Sequence, residues 1–462
     1  GEIRLPGAEI GGTMDFSTAT LNGERGGCLG DAIFLHDTQA NGRAEGNVLA
    51  LDASKITIKG SLFCCDGFTS FGAVMLPGGK IDGNVDFNGA KLNGYNSFHA
   101  FNADGIRVRG DLLCCKGFEA RGGVYMPGGE IHGDMDFTNA VLSVESGFAL
   151  KGNGIRIWGD LLCKLFVANG EVHLLGASVA GAACFQGAKL DGGSGTALNA
   201  ERISVKGSMF CNDGFTVIGA VPFHGAHIDG LFDWRPTLWT GRLTLAHAQA
   251  GRWRDSWTRR GWGCDGIPRI DLRDFIYGNF AAGTSNTDAE SRIAWVKAAL
   301  GDDFFPSPYE TLTAVLRASG DDSGANDVAL AKCRHRTAHR TKMTVAPSCR
   351  SRIGHRLWGG FLDWTIGYGY RPWQSLFWLL AFLVAGTVFF WFVGPTPTAG
   401  NGAGIIKPAI AIVYTQRLER FTVDSAGVKT PVRRSASVTS HAIHYNLPIE
   451  YPPFNSFWYS LD

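Results

Sequence analysis

A mainly β fold is what this 462-residue chain predicts: a parallel β-solenoid of roughly 24-residue coils, followed by a small α-helical region and a transmembrane helix. Three observations predict it. A glycine-centred motif recurs through the first half, capped helical segments follow it, and one long apolar run carries no charge.

The motif reads apolar-x-Gly-x-apolar-x-(Cys/Phe/Trp). Ile56-Thr-Ile-Lys-Gly-Ser-Leu-Phe-Cys64 recurs from Ile106 to Cys114, from Ile155 to Cys163 and from Ile203 to Cys211, at intervals of 50, 49 and 48 residues. Related units lie between these copies, at Ile81–Phe87, Ile131–Phe137, Val179–Phe185 and Ile228–Trp234, with an earlier one at Ile10–Phe16. Successive motifs are 22 to 27 residues apart. Alternation at period two means strand with one face buried, so Ile81, Val85 and Phe87 share a direction, as do Ile58, Leu62 and Cys64. A unit of this size cannot bury its apolar face alone, and stacked units must share a core. The motif glycine suits a bend or a close approach of backbones. Gly89-Ala-Lys-Leu92 and Gly187-Ala-Lys-Leu190 resemble the steps of pentapeptide-repeat solenoids. The solenoid is expected over 1–234, with residues 22–43 as a projecting loop. With 63 glycines, the chain uses about twice the average share, as frequent turning requires.

Residues 235–284 read as a cap or linker, rich in Trp and Arg, with Trp253, Trp257 and Trp262 plugging the open end of the coil. A helical adaptor is expected over 285–345. Thr287-Asp-Ala-Glu290 and Ser307-Pro-Tyr-Glu310 have the form of capping boxes, Gly301 and Gly320 stop the two helices, and a third begins near Asp322. Residues 346–372 form a basic juxtamembrane segment. The run 373–393 is uncharged over 21 positions, about 32 Å of helix, and has tryptophans near its ends; this is the expected transmembrane helix. From Lys332 to Arg356 there are eight Lys or Arg and no Asp or Glu. That asymmetry places the solenoid and helices on the cytoplasmic side and 394–462 outside. Arg350, Arg352, Arg356 and Arg371 are expected to meet lipid headgroups. The chain starts at Gly1 in mid-pattern and stops as an aromatic segment from Asn455 begins a second membrane segment, which predicts a piece of a longer protein.

A net charge of +1 gives no global attraction to polyanions, and no nucleic-acid partner is expected. Eleven cysteines, an odd number, argue against a disulfide framework and for a reducing setting. Cys64, Cys114, Cys163 and Cys211 share one repeat position and read as a structural column. On alternate coils they would sit roughly 9.6 Å apart, beyond disulfide reach and unable to surround one zinc. Gly261-Trp-Gly-Cys-Asp-Gly266 has the letters of a dinucleotide fingerprint without the strand before it or the helix after it. Thr365-Ile-Gly-Tyr-Gly369 has the letters of a potassium filter and reads as an interfacial turn. His335 and His339 read as part of a solvated basic face. No catalytic residue, cofactor site or metal site is predicted.

Pro308-Tyr-Glu-Thr-Leu-Thr-Ala-Val-Leu-Arg317, Ala329-Leu-Ala-Lys-Cys-Arg-His-Arg336 and Leu362-Asp-Trp-Thr-Ile-Gly-Tyr-Gly-Tyr-Arg-Pro-Trp373 carry a resemblance. Together with the repeats they resemble a family of bacterial, largely actinobacterial, proteins catalogued as membrane-associated oxidoreductases. The resemblance covers most of the chain and implies the bacterial plasma membrane and redox chemistry, but supplies no catalytic residue. The residues themselves favour a membrane-tethered solenoid scaffold that offers its side surface to a protein partner, with Lys59, Arg107 and Arg109 among the outward positions. An oxidoreductase is the rival reading, and a channel or transport subunit the third.

Overall fold

Backbone hydrogen bonding between successive turns of the chain organises the protein. In the computed structural model, residues 2–22, 48–94, 99–258, 269–301, 303–343, 372–393, 421–423 and 429–431 are described. Strands Thr57–Ile58 and Leu62–Phe63 pair in parallel with Lys80–Ile81 and Val85–Asp86, which pair onward with Arg107–Val108 and Leu112–Leu113. On the opposite side Thr69–Phe71 pairs with Lys91–Asn93, and Ala73–Met75 with His99–Asn102. Among the described residues, repetition builds two long parallel sheets, of 19 and 17 short strands, with the apolar core between them. This is the β-solenoid the repeat predicts.

The motif glycines form a ladder. From Gly83 to Gly230, each motif glycine N–H donates to the carbonyl of the motif glycine one coil earlier, at 2.8–3.1 Å. A Cβ on Gly133 would lie 2.8 Å from the Gly110 carbonyl oxygen, and one on Gly159 would lie 2.7 Å from that of Gly133. The requirement is therefore for space rather than for unusual torsion angles. Beside this ladder runs a second one made by side chains. Asp111 N–H donates to Asn84 Oδ1 at 2.9 Å, Asp134 N–H to Asp111 Oδ1 at 2.8 Å, and Asp160 N–H to Asp134 Oδ1 at 2.7 Å. The strand bends at the glycine, and these side chains accept the amides that the bend takes out of the sheet ladder.

The core explains why the sequence repeats every two coils. Coils with a cysteine at the motif's end carry a phenylalanine soon after it: Cys64 with Phe68, Cys114 with Phe118, Cys163 with Phe166, Cys211 with Phe215. Coils between them carry the ring first and alanine second: Phe87 with Ala90, Phe137 with Ala140, Phe185 with Ala188. All fourteen are fully buried. The rings zigzag from coil to coil, with centroids 6.3 Å apart for Phe68–Phe87 and Phe87–Phe118, 6.4 Å for Phe118–Phe137 and 5.8 Å for Phe137–Phe166. Small and large residues thus alternate along each core column, as close packing of stacked coils favours.

The parallel stack continues beyond Trp234, where the sequence reading placed a cap. His227–Trp234 pairs with Gln249–Asp255, and that strand pairs with Ile276–Phe280. The motif is hidden there because one residue is missing at the bend: Ile228 faces Ala250 but Leu231 faces Arg252. Three helices then close the end: α1 (Ala289–Leu300), α2 (Ser307–Ala318) and α3 (Asp322–Met343). Their capping departs from expectation. The N-cap of α1 is Asp288, which accepts from Ser291 N–H at 3.0 Å, rather than Thr287. The N-cap of α2 is Pro306, with no side-chain cap. Ser307 Oγ instead accepts from Asp274 N–H at 3.0 Å, which ties the helix to the last solenoid turn. The projecting loop expected at 22–43 lies almost wholly outside the described residues.

Residues Gly1–Trp364 form one unit and Thr365–Asp462 a second. The second contains helix α4 (Pro372–Val393) and an antiparallel pair, Phe421–Val423 with Lys429–Pro431. The span expected at 373–393 falls on α4. Among the described residues no helix is long and apolar enough to cross a membrane. A crossing takes about 20 apolar residues.

Adding one methyl group to the glycine ladder should pry two coils apart. Gly133→Ala is expected to lower unfolding stability by about 1–3 kcal/mol, the usual cost of overpacking. Gly11→Ala, where a Cβ meets nothing within 4 Å, should change it by less than about 0.5 kcal/mol. Urea denaturation followed by circular dichroism measures both.

Candidate functional site: an outer face and the cap interface

Two regions concentrate polar chemistry. The first is the outer surface of the 19-stranded sheet. The residue just before each motif glycine points outward, giving a row Lys59, Asp82, Arg109, His132, Trp158, Ala180, Lys206 and Asp229. The neighbouring row, fixed by strand register, runs Lys80, Arg107, Glu130, Arg156, Ser178, Ser204 and His227. Carboxylates in these rows are shared. Asp82 lies 3.6 Å from Lys59 Nζ and 3.3 Å from Arg109 Nη1; Glu130 lies 3.0 Å from Arg107 Nε and 3.3 Å from Arg156 Nη1. Each triad carries one net positive charge. The acids are short and lie close to the sheet, while the cations stand out: Arg109 is 73% exposed against 31% for Asp82, and Arg107 60% against 24% for Glu130. Lys59, Arg107 and Arg109, expected to face outward, do so. The sequence reading missed their acidic partners, although aligning the x of each x-Gly pair would have put Asp82 in one row with Lys59 and Arg109.

The second region is the junction of the solenoid with α1. Asp255 and Arg292 are both fully buried and form a two-pronged pair, Nη1–Oδ2 at 2.7 Å and Nη2–Oδ1 at 3.1 Å. Trp253 Nε1 and Trp257 N–H also donate to Asp255, and Arg292 Nη2 donates to the Ser285 carbonyl at 2.8 Å. The guanidinium lies over the Phe280 ring, 4.4 Å from its centroid. Planar, fork-shaped Arg meets a carboxylate here with most hydrogen bonds satisfied, the condition under which a buried pair is tolerated. Trp253 and Trp257 are buried at this end, and Trp257 Nε1 donates to the Ser291 carbonyl at 3.2 Å. Trp262 lies outside the described residues.

Cys64, Cys114, Cys163 and Cys211 are free thiols with no exposed surface, and burial pushes each well above the ordinary thiol range. Cys115 is pushed up to about 11, chiefly by burial and then by Asp136. A thiol held protonated is a poor nucleophile and a poor metal ligand. Among the described residues no group of three His, Cys, Asp or Glu is placed to hold a metal ion. His335, expected on a solvated face, instead packs inward: its Nδ1 lies 2.8 Å from Tyr309 Oη and its ring against Phe304. The reason is helix geometry, since α2 and α3 cross where these residues meet. Arg350, Arg352, Arg356, Arg371, the Gly261–Gly266 stretch and Thr365–Gly369 all lie outside the described residues.

Comparison with protein-family models, with curated proteins and with solved structures finds no match for this chain.

Removing one half of the buried pair should be costly. Asp255→Ala, which strands Arg292, is expected to lose about 3–5 kcal/mol, and the double change Asp255→Leu with Arg292→Met should recover most of it. Differential scanning calorimetry reads both. The thiol column gives a second test. In native protein, iodoacetamide followed by peptide mass spectrometry should modify half-buried Cys333 and leave Cys64, Cys114, Cys163 and Cys211 untouched until the chain is unfolded.

Proposed function

We propose that this protein is a membrane-tethered scaffold whose solenoid holds a protein partner on its outer face. The observation that carries the reading is the pair of cation-rich triads standing above their shared carboxylates on a rigid, regularly spaced surface. The core argues in the same direction, because the space between the sheets is occupied by fully buried side chains, and interaction surface is what such a stack offers.

Tethering is assigned to α4. Its 22 residues carry no charge, and Leu376, Phe382, Val388 and Trp391 are all exposed, so apolar surface runs around the helix. A helix apolar on every side belongs in a protein core or a bilayer. The arginine-rich flank supports a cytoplasmic solenoid at a bacterial plasma membrane, with Arg350, Arg352, Arg356 and Arg371 at lipid headgroups.

Cysteine-accessibility labelling of intact cells should modify a reporter at Ser425 and miss one at Ser323; the reverse pattern would invert the topology. A pull-down from the native host should retain a protein, with capture weakened at least about tenfold by Arg107→Glu together with Arg109→Glu. A flavin spectrum in the native preparation would overturn the scaffold reading in favour of redox chemistry.

A further inference from the structure

Within the row that precedes the motif glycines, an aromatic stack is left open at one end. His132 and Trp158 occupy adjacent coils, and their rings lie parallel, 4.3 Å apart and within 5° of coplanar orientation. That separation is close to the coil spacing of about 4.8 Å, so the stack runs along the solenoid axis. The next residue in the row is Ala180, whose methyl group leaves a notch beside the second face of Trp158. Trp158 is 47% exposed. Beyond the notch comes Lys206, two coils from Trp158 and therefore roughly 10 Å away along the axis, which is room for one flat ring. Ser178 and Ser204 flank the notch in the neighbouring row, next to Arg156.

Charge around the notch is uneven. Arg156 shares Glu130 with Arg107, and Lys206 Nζ meets Asp229 at 3.2 Å. Arg156 has five N–H donors and remains 64% exposed, so most of them face solvent. We propose that the notch over Ala180 is a binding site for an acidic peptide segment that bears an aromatic side chain. The ring extends the His132–Trp158 stack, and neighbouring carboxylates meet Arg107, Arg156 and Lys206. This inference rests on the scaffold reading and specifies its partner.

The observations favour a peptide over a nucleic acid. Asp82, Glu130 and Asp229 are woven through the face, and a backbone with a charge on every phosphate would meet all three. A peptide sets its acidic and aromatic groups at chosen places and can avoid them. Stacking of the incoming ring supplies selectivity, and the excess positive charge supplies attraction.

The test uses the full chain in detergent with a fluorescein-labelled random Glu–Tyr copolymer, compared with polyglutamate and with a 20-nucleotide oligothymidylate, read by fluorescence anisotropy. Trp158→Ala and Ala180→Trp, which removes or fills the notch, should each weaken copolymer binding about three- to tenfold and leave polyglutamate within about twofold. Arg107→Glu with Arg156→Glu should weaken both polymers. Unchanged melting curves for these surface variants establish that folding is intact. Equal binding of copolymer and polyglutamate, or copolymer binding that survives Ala180→Trp, overturns the proposal. Tighter binding of oligothymidylate through the same residues overturns it in favour of nucleic acid. Its failure is separable from that of the scaffold reading: host protein still captured by the Ala180→Trp chain sinks the notch alone, whereas a wild-type chain that retains no host protein sinks the scaffold.

Discussion

Coil-to-coil contact at the motif glycines is the constraint from which the other features follow. Parallel strands must lie about 4.8 Å apart for their hydrogen bonds to form. At the bend of each coil that spacing brings backbone onto backbone, and only hydrogen fits where Gly133 meets Gly110 or Gly159 meets Gly133. Once the bend is fixed, every residue has a defined neighbour one coil away. Asn84, Asp111, Asp134 and Asp160 become rungs, and the x before each glycine becomes an outward row.

The same register imposes a packing problem and its solution. Identical residues would stack on themselves along the core, and a column of rings at that spacing would leave the opposite side of the coil short of volume. Alternating Cys–Phe coils with Phe–Ala coils moves the bulk from one corner to the other. The edge-to-face ring contacts are the trace of that alternation. A two-coil period is therefore a packing period.

An endless stack needs an end, because its last strand has unpaired amides and carbonyls and an open core. Here the motif is first worn down, with a residue lost at the bend between Ala250 and Arg252, and tryptophans take the place of phenylalanine. Then α1 arrives, and Arg292 is drawn through the interface to Asp255. The pair gives the junction a single fit, since a displaced helix would leave two buried charges unmatched. The helices share one apolar core with the coils, so the outer face is presented by a body that ends rigidly.

The sequence by itself determined the strand direction, the coil length, the buried alternation of Ile81, Val85 and Phe87, and the alternate-coil placement of Cys64, Cys114, Cys163 and Cys211. Each of these follows from local period and stacking geometry. It also determined that Lys59, Arg107 and Arg109 face out, because alternation assigns faces. What only tertiary structure decided is which residues meet across coils. The pairing of Asp82 with Lys59 and Arg109, the parallel rings of His132 and Trp158, and the junction of Asp255 with Arg292 depend on register between segments more than 20 residues apart. Past Trp234 the local signal failed for a physical reason: with one residue fewer at the bend the period-two pattern slips, yet the inter-coil hydrogen bonds still carry the stack to Phe280.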